Sequence, residues 1–302
     1  MKKLPVKNRL FGRLRYLYVT TMTEKPIVQL KGVSYFYASS KTKALDNIDL
    51  DIYAGKKIAI LGANGAGKST LFKHLNGILK PAAGDILVKG EPISKKNIRT
   101  VRQTVGIVFQ NPDDQILAPT IEQDVAFGPI NMGLDEEEVE KRVKKALELV
   151  NLSGFEERSP HHLSGGQKKL VAIAGVLAMQ PEVVVLDEPT AGLDPLSAEN
   201  IMKIIDGMNK KFGITVILST HDVDIVPLFA DIVYIMHHGR IEASGTAREI
   251  FKKHEVLENA HLRMPRIAEV FELLQESGMD ADIMITPHDA RDEIIRLVDN
   301  RK

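Results

Sequence analysis

Cysteine is missing from all 302 positions of this sequence, and its absence removes several kinds of chemistry at once. Disulfide staples, thiol catalysis and cysteine-ligated zinc are excluded, and a reducing cytoplasm is the compartment that such a chain fits. Net charge is missing too. The 40 basic side chains are balanced by 40 acidic ones, so no global field draws the chain onto nucleic acid or anionic lipid. No apolar run approaches the roughly 18 residues that a membrane-crossing helix needs. The strongest, such as Val183 to Leu186, have the length of a strand. A chain of this kind serves a membrane, if at all, from outside the lipid. It shows no internal repeat and no low-complexity tract.

What is present starts with a basic segment, residues 1–24. Six cationic residues (Lys2, Lys3, Lys7, Arg9, Arg13 and Arg15) precede the first acid, Glu24. The segment reads as a disordered tail, or as the product of a start codon upstream of true initiation at Met22. The competing reading is an amphipathic helix on a membrane surface, with Leu10, Phe11, Leu14 and Leu17 on one face. No uninterrupted apolar stretch follows the basic residues, so a secretory signal is not expected.

From Ile27 the pattern is strand-rich. Ile48, Leu50 and Ile52 alternate with Asp49 and Asp51, the period of a half-buried strand. Lys57 to Leu61 is a compact apolar run that stops at a glycine-rich loop, and helical periodicity resumes at Leu71. Val139, Val143, Leu147 and Val150 form a stripe on a charged helix over 136–150. Strands are then expected at Val183–Leu186 and Thr215–Leu218, with a helix after Pro195 between them and a short closing strand at Ile232–Met236. Strands alternating with helices imply an α/β fold with a mostly parallel sheet covered on both faces. The tail from about residue 249 looks like an appendage. It has a helix from Pro265 through Leu274, a short strand at Asp282–Ile285, and a last helix opened by Thr286-Pro287.

Gly62-Ala63-Asn64-Gly65-Ala66-Gly67-Lys68-Ser69 matches the phosphate-loop pattern G-x-x-x-x-G-K-[ST] in full, between an apolar strand and a helix. Backbone N–H groups can converge on phosphate only where side chains do not intervene, hence the glycines. The helix that follows aims its N-terminus at the anion. Lys68 is expected to reach the β and γ phosphates, and Ser69 to offer its hydroxyl to magnesium. The motif by itself says only that a nucleotide is bound.

Val183 to Leu186 ends in Asp187-Glu188. A buried strand would deliver Asp187 beside the phosphate loop to hold the magnesium shell, with Glu188 one residue further on to polarise a water. Leu163-Ser164-Gly165-Gly166-Gln167 reads as a serine N-cap with two glycines at the mouth of a helix running to about Met179. This is a second anion-receptive helix start in one chain. One nucleotide cannot readily use both within one molecule, whereas two copies arranged head to tail can.

With these residues in order, the sequence resembles the ABC ATPases, whose signature is the LSGGQ stretch; the likeness covers roughly Ile27 to Gly245. It implies a RecA-like P-loop core, an antiparallel β subdomain and an inserted α-helical subdomain at about 111–178, all within a nucleotide-binding domain at 25–248. An α/β extension at 249–302 would support the dimer. The resemblance also implies ATP and Mg²⁺ as ligands, with Thr70 completing the phosphate loop. Gln110 matches the Q-loop glutamine, which contacts the metal or water and links to the membrane subunit. Asp194, in Ala191-Gly192-Leu193-Asp194, matches the D-loop that crosses the dimer interface. His221 matches the switch histidine on the γ-phosphate. Magnesium would be held by Ser69, Gln110 and Asp187, and Ser164, Gly165, Gly166 and Gln167 would serve the partner's nucleotide. Tyr37 is the candidate for stacking on adenine, with Tyr35 its rival. Leu170 departs from the arginine that many relatives carry.

Phe109-Gln110-Asn111-Pro112-Asp113-Asp114-Gln115, Ala126-Phe127-Gly128-Pro129 and Thr220-His221-Asp222-Val223-Asp224 are similar to the energy-coupling factor importers, most of all their cobalt-type ATPase. Such importers take up vitamins or cobalt and nickel ions. The expected partners are a second ATPase subunit, identical or related, a transmembrane coupling subunit and a substrate-binding membrane subunit, with no nucleic acid. The expected location is the cytoplasmic face of the membrane. The pairs His161-His162 and His237-His238 are not expected to form a metal site, since adjacent side chains diverge on a strand. A soluble ABC ATPase of translation or DNA repair is the alternative, although the paired domains or long coiled coils of those proteins are missing. A simple P-loop kinase is disfavoured by the Ser164 signature.

Overall fold

The computed structural model describes residues 25–38 and 42–299, so the basic segment at 1–24 lies outside the described residues. In chain order the strands and helices are β1 (Val28–Tyr35), β2 (Leu45–Ile52), β3 (Lys57–Leu61), α1 (Lys68–Leu75), β4 (Ala83–Val88), β5 (Glu91–Pro92), α2 (Ile98–Thr104) and β6 (Val105–Val108). There follow α3 (Ile121–Met132), α4 (Glu136–Leu149), α5 (Gly165–Ala178), β7 (Val183–Leu186), α6 (Pro195–Phe212) and β8 (Thr215–Ser219). The chain closes with α7 (Val226–Phe229), β9 (Ile232–His237), β10 (Arg240–Gly245), α8 (Ala247–Ile250), α9 (His254–Asn259), α10 (Arg266–Glu276) and α11 (Pro287–Asp299).

Two sheets organise the molecule. The larger runs in the order β10-β9-β3-β8-β7-β6, parallel except for β10; the smaller is antiparallel, in the order β2-β1-β4-β5. The parallel strands are apolar at every position because both of their faces are covered. In β7, Val183 and Val185 pack toward α1 and the small sheet, while Val184 and Leu186 pack toward the helices. The period-two pattern of β2 has the other cause: Ile48, Leu50 and Ile52 face the core, and their neighbours face outward.

The helical insert follows its capping signals. Thr120 caps α3 and Asp135 caps α4, each accepting from the main chain three residues on. The stripe on α4 is buried at Val143 and Leu147 and half-buried at Val139, and it packs with α3 and α5.

Three expectations need correction. The strand at Ile232–Met236 forms, as β9, but it is not the last, since β10 follows it. It lies inside, between β3 and the antiparallel β10. No strand forms at Asp282–Ile285, so the described part of the C-terminal extension is helical rather than α/β. Side chains meet the main-chain groups that a strand partner would have met: Glu293 accepts from the Asp282 amide at 2.9 Å, and Gln275 donates to the Ala281 carbonyl at 2.6 Å. Thirdly, the rings of His237 and His238 do not diverge. His238 has φ +45°, which ends strand alternation at the hairpin turn and brings the two ring centroids to 4.0 Å.

Candidate active site

The phosphate loop is held by what surrounds it. β3 is buried between β8 and β9, and its C-terminal end releases the chain into Gly62–Gly67 before α1 starts at Lys68. A Cβ on Gly62 would lie 2.2 Å from the Met236 carbonyl oxygen, and one on Gly67 would lie 2.5 Å from that of Ala44. Both glycines have positive φ. Glycine is therefore required at these two positions by neighbouring backbone as well as by the approach of a ligand. The Lys68 ammonium is buried and donates to the carbonyls of Gly62 at 2.7 Å and Ala63 at 3.2 Å. Burial pulls its pKa down, against the attraction of Glu188 and Asp187.

Three strand ends meet opposite this loop. β6, β7 and β8 are neighbours in the sheet, so Gln110, Asp187-Glu188 and His221, each just beyond one of them, are gathered at its C-terminal edge. Glu188 is the centre. Its Oε1 is 3.9 Å from the Lys68 Nζ; its Oε2 accepts from Gln110 Nε2 at 3.1 Å and lies 3.4 Å from His221 Nδ1. Glu188 adopts φ +46°, a left-handed conformation that costs a side-chain-bearing residue roughly 1–2 kcal/mol. Strain of that kind collects at functional sites. Asp187 is buried as well, with the Ser219 hydroxyl donating to its Oδ1 at 2.6 Å.

The second anion-receptive turn is at the start of α5. Ser164 and Gln167 form a reciprocal capping box: the Ser164 Oγ accepts from the Gln167 amide, and the Gln167 Oε1 accepts from the Ser164 amide. Ser164 and Gly165 are exposed, and a Cβ on Gly165 would meet nothing within 4 Å. Gly166 lies beside Ser197 in the first turn of α6, where Asp194 accepts from the Ser197 amide at 3.0 Å as the helix cap. Those bonds from Ser197 hold the Asp194 carboxyl below the usual carboxylate range.

Tyr37 lies by the first turn of α1, its hydroxyl 3.1 Å from the Thr70 hydroxyl and its ring edge-on to Tyr35. It is 38% exposed, whereas Tyr35 packs against the core. Leu170 is buried in α5 within the apolar core.

Two residues of the site escaped sequence reasoning. Ser219 bridges the acidic pair, since its Oγ also accepts from the Glu188 amide at 2.9 Å. A hydroxyl at the end of the apolar run Thr215–Leu218 was the available signal. Lys169 is buried and donates to the carbonyls of Ala191 at 2.7 Å and Glu188 at 3.3 Å, tying α5 to the loop after β7. Its signal was a lysine one helical turn from Gly165, next to an apolar run. Burial lowers its pKa, and Glu188 opposes that shift.

The ABC transporter family model matches residues 45–191. A putative ABC transporter ATP-binding protein of Methanosarcina mazei is 63% identical over 282 residues, covering 93% of this chain and 86% of its own length. The energy-coupling factor transporter ATP-binding protein EcfA of Methanocaldococcus jannaschii is 58% identical over 252 residues, covering 83% and 90%. Among solved structures, cbiO1 from Clostridium perfringens, part of the ABC transporter complex cbiONQ, superposes with a TM-score of 0.71 at 47% identity. The match covers 82% of this chain and 100% of that one.

Proposed function

Because this chain belongs to the ABC transporter family of ATP-binding subunits, we propose that it is the ATPase of an energy-coupling factor importer, acting as half of a head-to-tail dimer. The observation that carries this reading is the pair of anion-receptive helix starts. One, at Lys68, is backed by the acidic cluster of its own chain; the other, at Ser164, is exposed and, among the described residues, bonds within its own helix.

In this reading the phosphate loop, Gly62 to Thr70, grips the ATP triphosphate. Lys68 moves from its carbonyl partners to the β and γ phosphates, and Tyr37 stacks on adenine. Glu188 accepts a proton from the attacking water and Gln110 donates to its second carboxylate oxygen, while His221, 3.4 Å from that oxygen, contacts the γ-phosphate. Ser164, Gly165, Gly166 and Gln167 close over the partner's γ-phosphate, and Asp194 lies on the loop that meets the partner. Release of phosphate removes that contact, and the dimer opens.

The fit of magnesium rests on donor chemistry. Ser69, Gln110 and Asp187 offer hydroxyl, amide and carboxylate oxygens, the hard donors that this cation takes, and Asp187 is fixed by Ser219. Bound there, Mg²⁺ would neutralise charge on the β and γ phosphates.

The membrane partners are a transmembrane coupling subunit and a substrate-binding subunit, reached from the cytoplasmic face. No described helix is long and apolar enough to cross a membrane. The second ATPase is an identical or a related chain. The cargo in this reading is a cobalt or nickel ion or a vitamin, as the resemblance of the sequence to the energy-coupling factor importers implies; the names of the EcfA relative and of the cbiONQ neighbour support the importer class. The extension at 249–302 supports the dimer, and the apolar side chains that it leaves exposed (Val270, Leu273, Ile294, Ile295 and Val298) suit that role. Capture of the full chain from membranes tests the assignment: polytopic membrane proteins should co-purify with it. Recovery with ribosomes or DNA instead would favour a soluble ABC ATPase.

A further inference from the structure

The loop that carries His221 is fastened from an unexpected direction. Between β8 and α7 the chain makes two successive local turns: the Asp222 amide donates to Thr220 Oγ1 at 3.0 Å, and the Asp224 amide donates to Asp222 Oδ1 at 3.1 Å. Turns of this kind satisfy their own main chain and leave the position of the loop to whatever grips its far end. That grip comes from the start of α10. Arg263 Nη2 donates to Asp224 Oδ2 at 2.5 Å, and the Arg266 amide donates to Asp224 Oδ1 at 2.8 Å. The Arg263 Nη1 is in turn bound to the Met264 carbonyl at 3.1 Å. Both carboxylate oxygens of Asp224 are thus held by the C-terminal extension, three residues from His221.

Packing gives the clamp a stiff base. Val223, inside the loop, is fully buried in the same apolar cluster as Met264 and Ala268 of the extension. Electrostatics agree with the geometry. Burial pushes the Asp224 carboxyl up, but the bonds from Arg263 and the Arg266 amide outweigh it, so the group stays ionised below the usual carboxylate range.

We propose that Asp224, held by Arg263 and the Arg266 amide, is a positioning residue for His221, so that the C-terminal extension sets the rate of ATP hydrolysis through this clamp. The inference rests on the reading of His221 given above. The bonds of Asp224 run to Asp222, Arg263 and Arg266, all outside the phosphate loop, and in this proposal it acts on turnover and not on affinity.

Steady-state ATPase of the full chain, with the thermal midpoint measured beside it, tests the clamp. Arg263→Ala should lower kcat about threefold to tenfold while KM for ATP stays within about twofold. Arg263→Lys, which keeps the charge, should restore most of the rate. Asp224→Asn keeps the shape but only one of the two acceptor oxygens, and should lower kcat with a fall in the thermal midpoint no larger than that of Arg263→Ala. In a His221→Ala background, Arg263→Ala should bring no further loss in the single-turnover rate, because the clamp works through the histidine. Unchanged kcat in either Arg263→Ala or Asp224→Asn, or losses that add to that of His221→Ala, overturns the proposal. If His221→Ala itself turns over normally, the assignment of His221 falls first. If His221→Ala is impaired and the clamp variants are not, the clamp alone is wrong.

Discussion

The Ser219 hydroxyl donates to Asp187 Oδ1 at 2.6 Å, and both side chains are buried. The same oxygen accepts from the Glu188 amide, so a single hydroxyl fixes a carboxylate and the main chain of the next residue. A buried hydrogen bond to a charged group contributes roughly 1.5–3 kcal/mol, and removing one partner leaves the other unsatisfied. Ser219→Ala should therefore destabilise the fold by about that amount, read from denaturant unfolding. It should also lower kcat more than it weakens ATP binding. Wild-type stability and turnover in this variant would show that Asp187 and Glu188 are held by other contacts.

In the proposed function Glu188 is the proton acceptor; Gln110 Nε2 and His221 Nδ1 converge on one of its oxygens and Lys68 faces the other. Glu188→Gln keeps the size and an acceptor oxygen but loses basicity. Its turnover should fall by roughly 10²–10⁴, the contribution of a positioned general base. ATP should still bind, and the unhydrolysed nucleotide should hold two copies together, visible as a doubled mass in size-exclusion chromatography with ATP. A variant that hydrolyses ATP at the normal rate would move the role of base elsewhere.

Most of this site was legible in the sequence because its chemistry depends on local order. The phosphate loop and the Ser164 turn are contiguous stretches whose glycines and caps follow from backbone needs. The acids at 187 and 188 follow from a buried strand that ends there. Ser219 and Lys169 were not legible as site residues. Their roles depend on register, with Leu186 paired to Leu218 so that the next positions lie side by side, and on the angle at which α5 crosses the loop after β7. The missing strand at Asp282–Ile285 has a similar origin. Local apolar content suggested a strand, and Glu293 and Gln275, reaching in from two helices, met the backbone instead. The closeness of His237 and His238 depends on one left-handed residue, which composition does not reveal.

Glu293 supplies a pH dependence of the C-terminal extension. The guanidinium of Arg296 and the Asp282 amide pull its pKa from 4.5 to about 2. The folded state holds the charged form more tightly than the unfolded chain does. The stabilisation is therefore complete above about pH 4.5 and is lost progressively as pH falls to about 2. Hydrogen exchange in α10 and α11 should accelerate over that window before the sheet core opens. Glu293→Gln should flatten the dependence, and an identical acid profile in the variant would assign it to other carboxylates.

Ser164→Arg separates the two helix starts. The substitution removes an N-cap, at a cost of roughly 0.5–2 kcal/mol, and places a long cation on an exposed turn where Gly165 leaves open space. Nothing in the capping box touches the loop from Gly62 to Ser69 of the same chain, so the isolated variant should bind ATP through Lys68 with nearly normal affinity. In the head-to-tail reading the Ser164 turn serves the nucleotide held by the second copy, so turnover should collapse. Mixing the variant with Lys68→Ala protomers sharpens the expectation. A mixed dimer has one composite site in which the intact Lys68 of the Ser164→Arg chain faces the intact Ser164 of the other, and its second site lacks both. Head-to-tail pairing therefore predicts partial recovery of hydrolysis in the mixture, while each variant alone stays inactive. Loss of ATP binding by monomeric Ser164→Arg, or no recovery on mixing despite confirmed mixed dimers, would rule that pairing out.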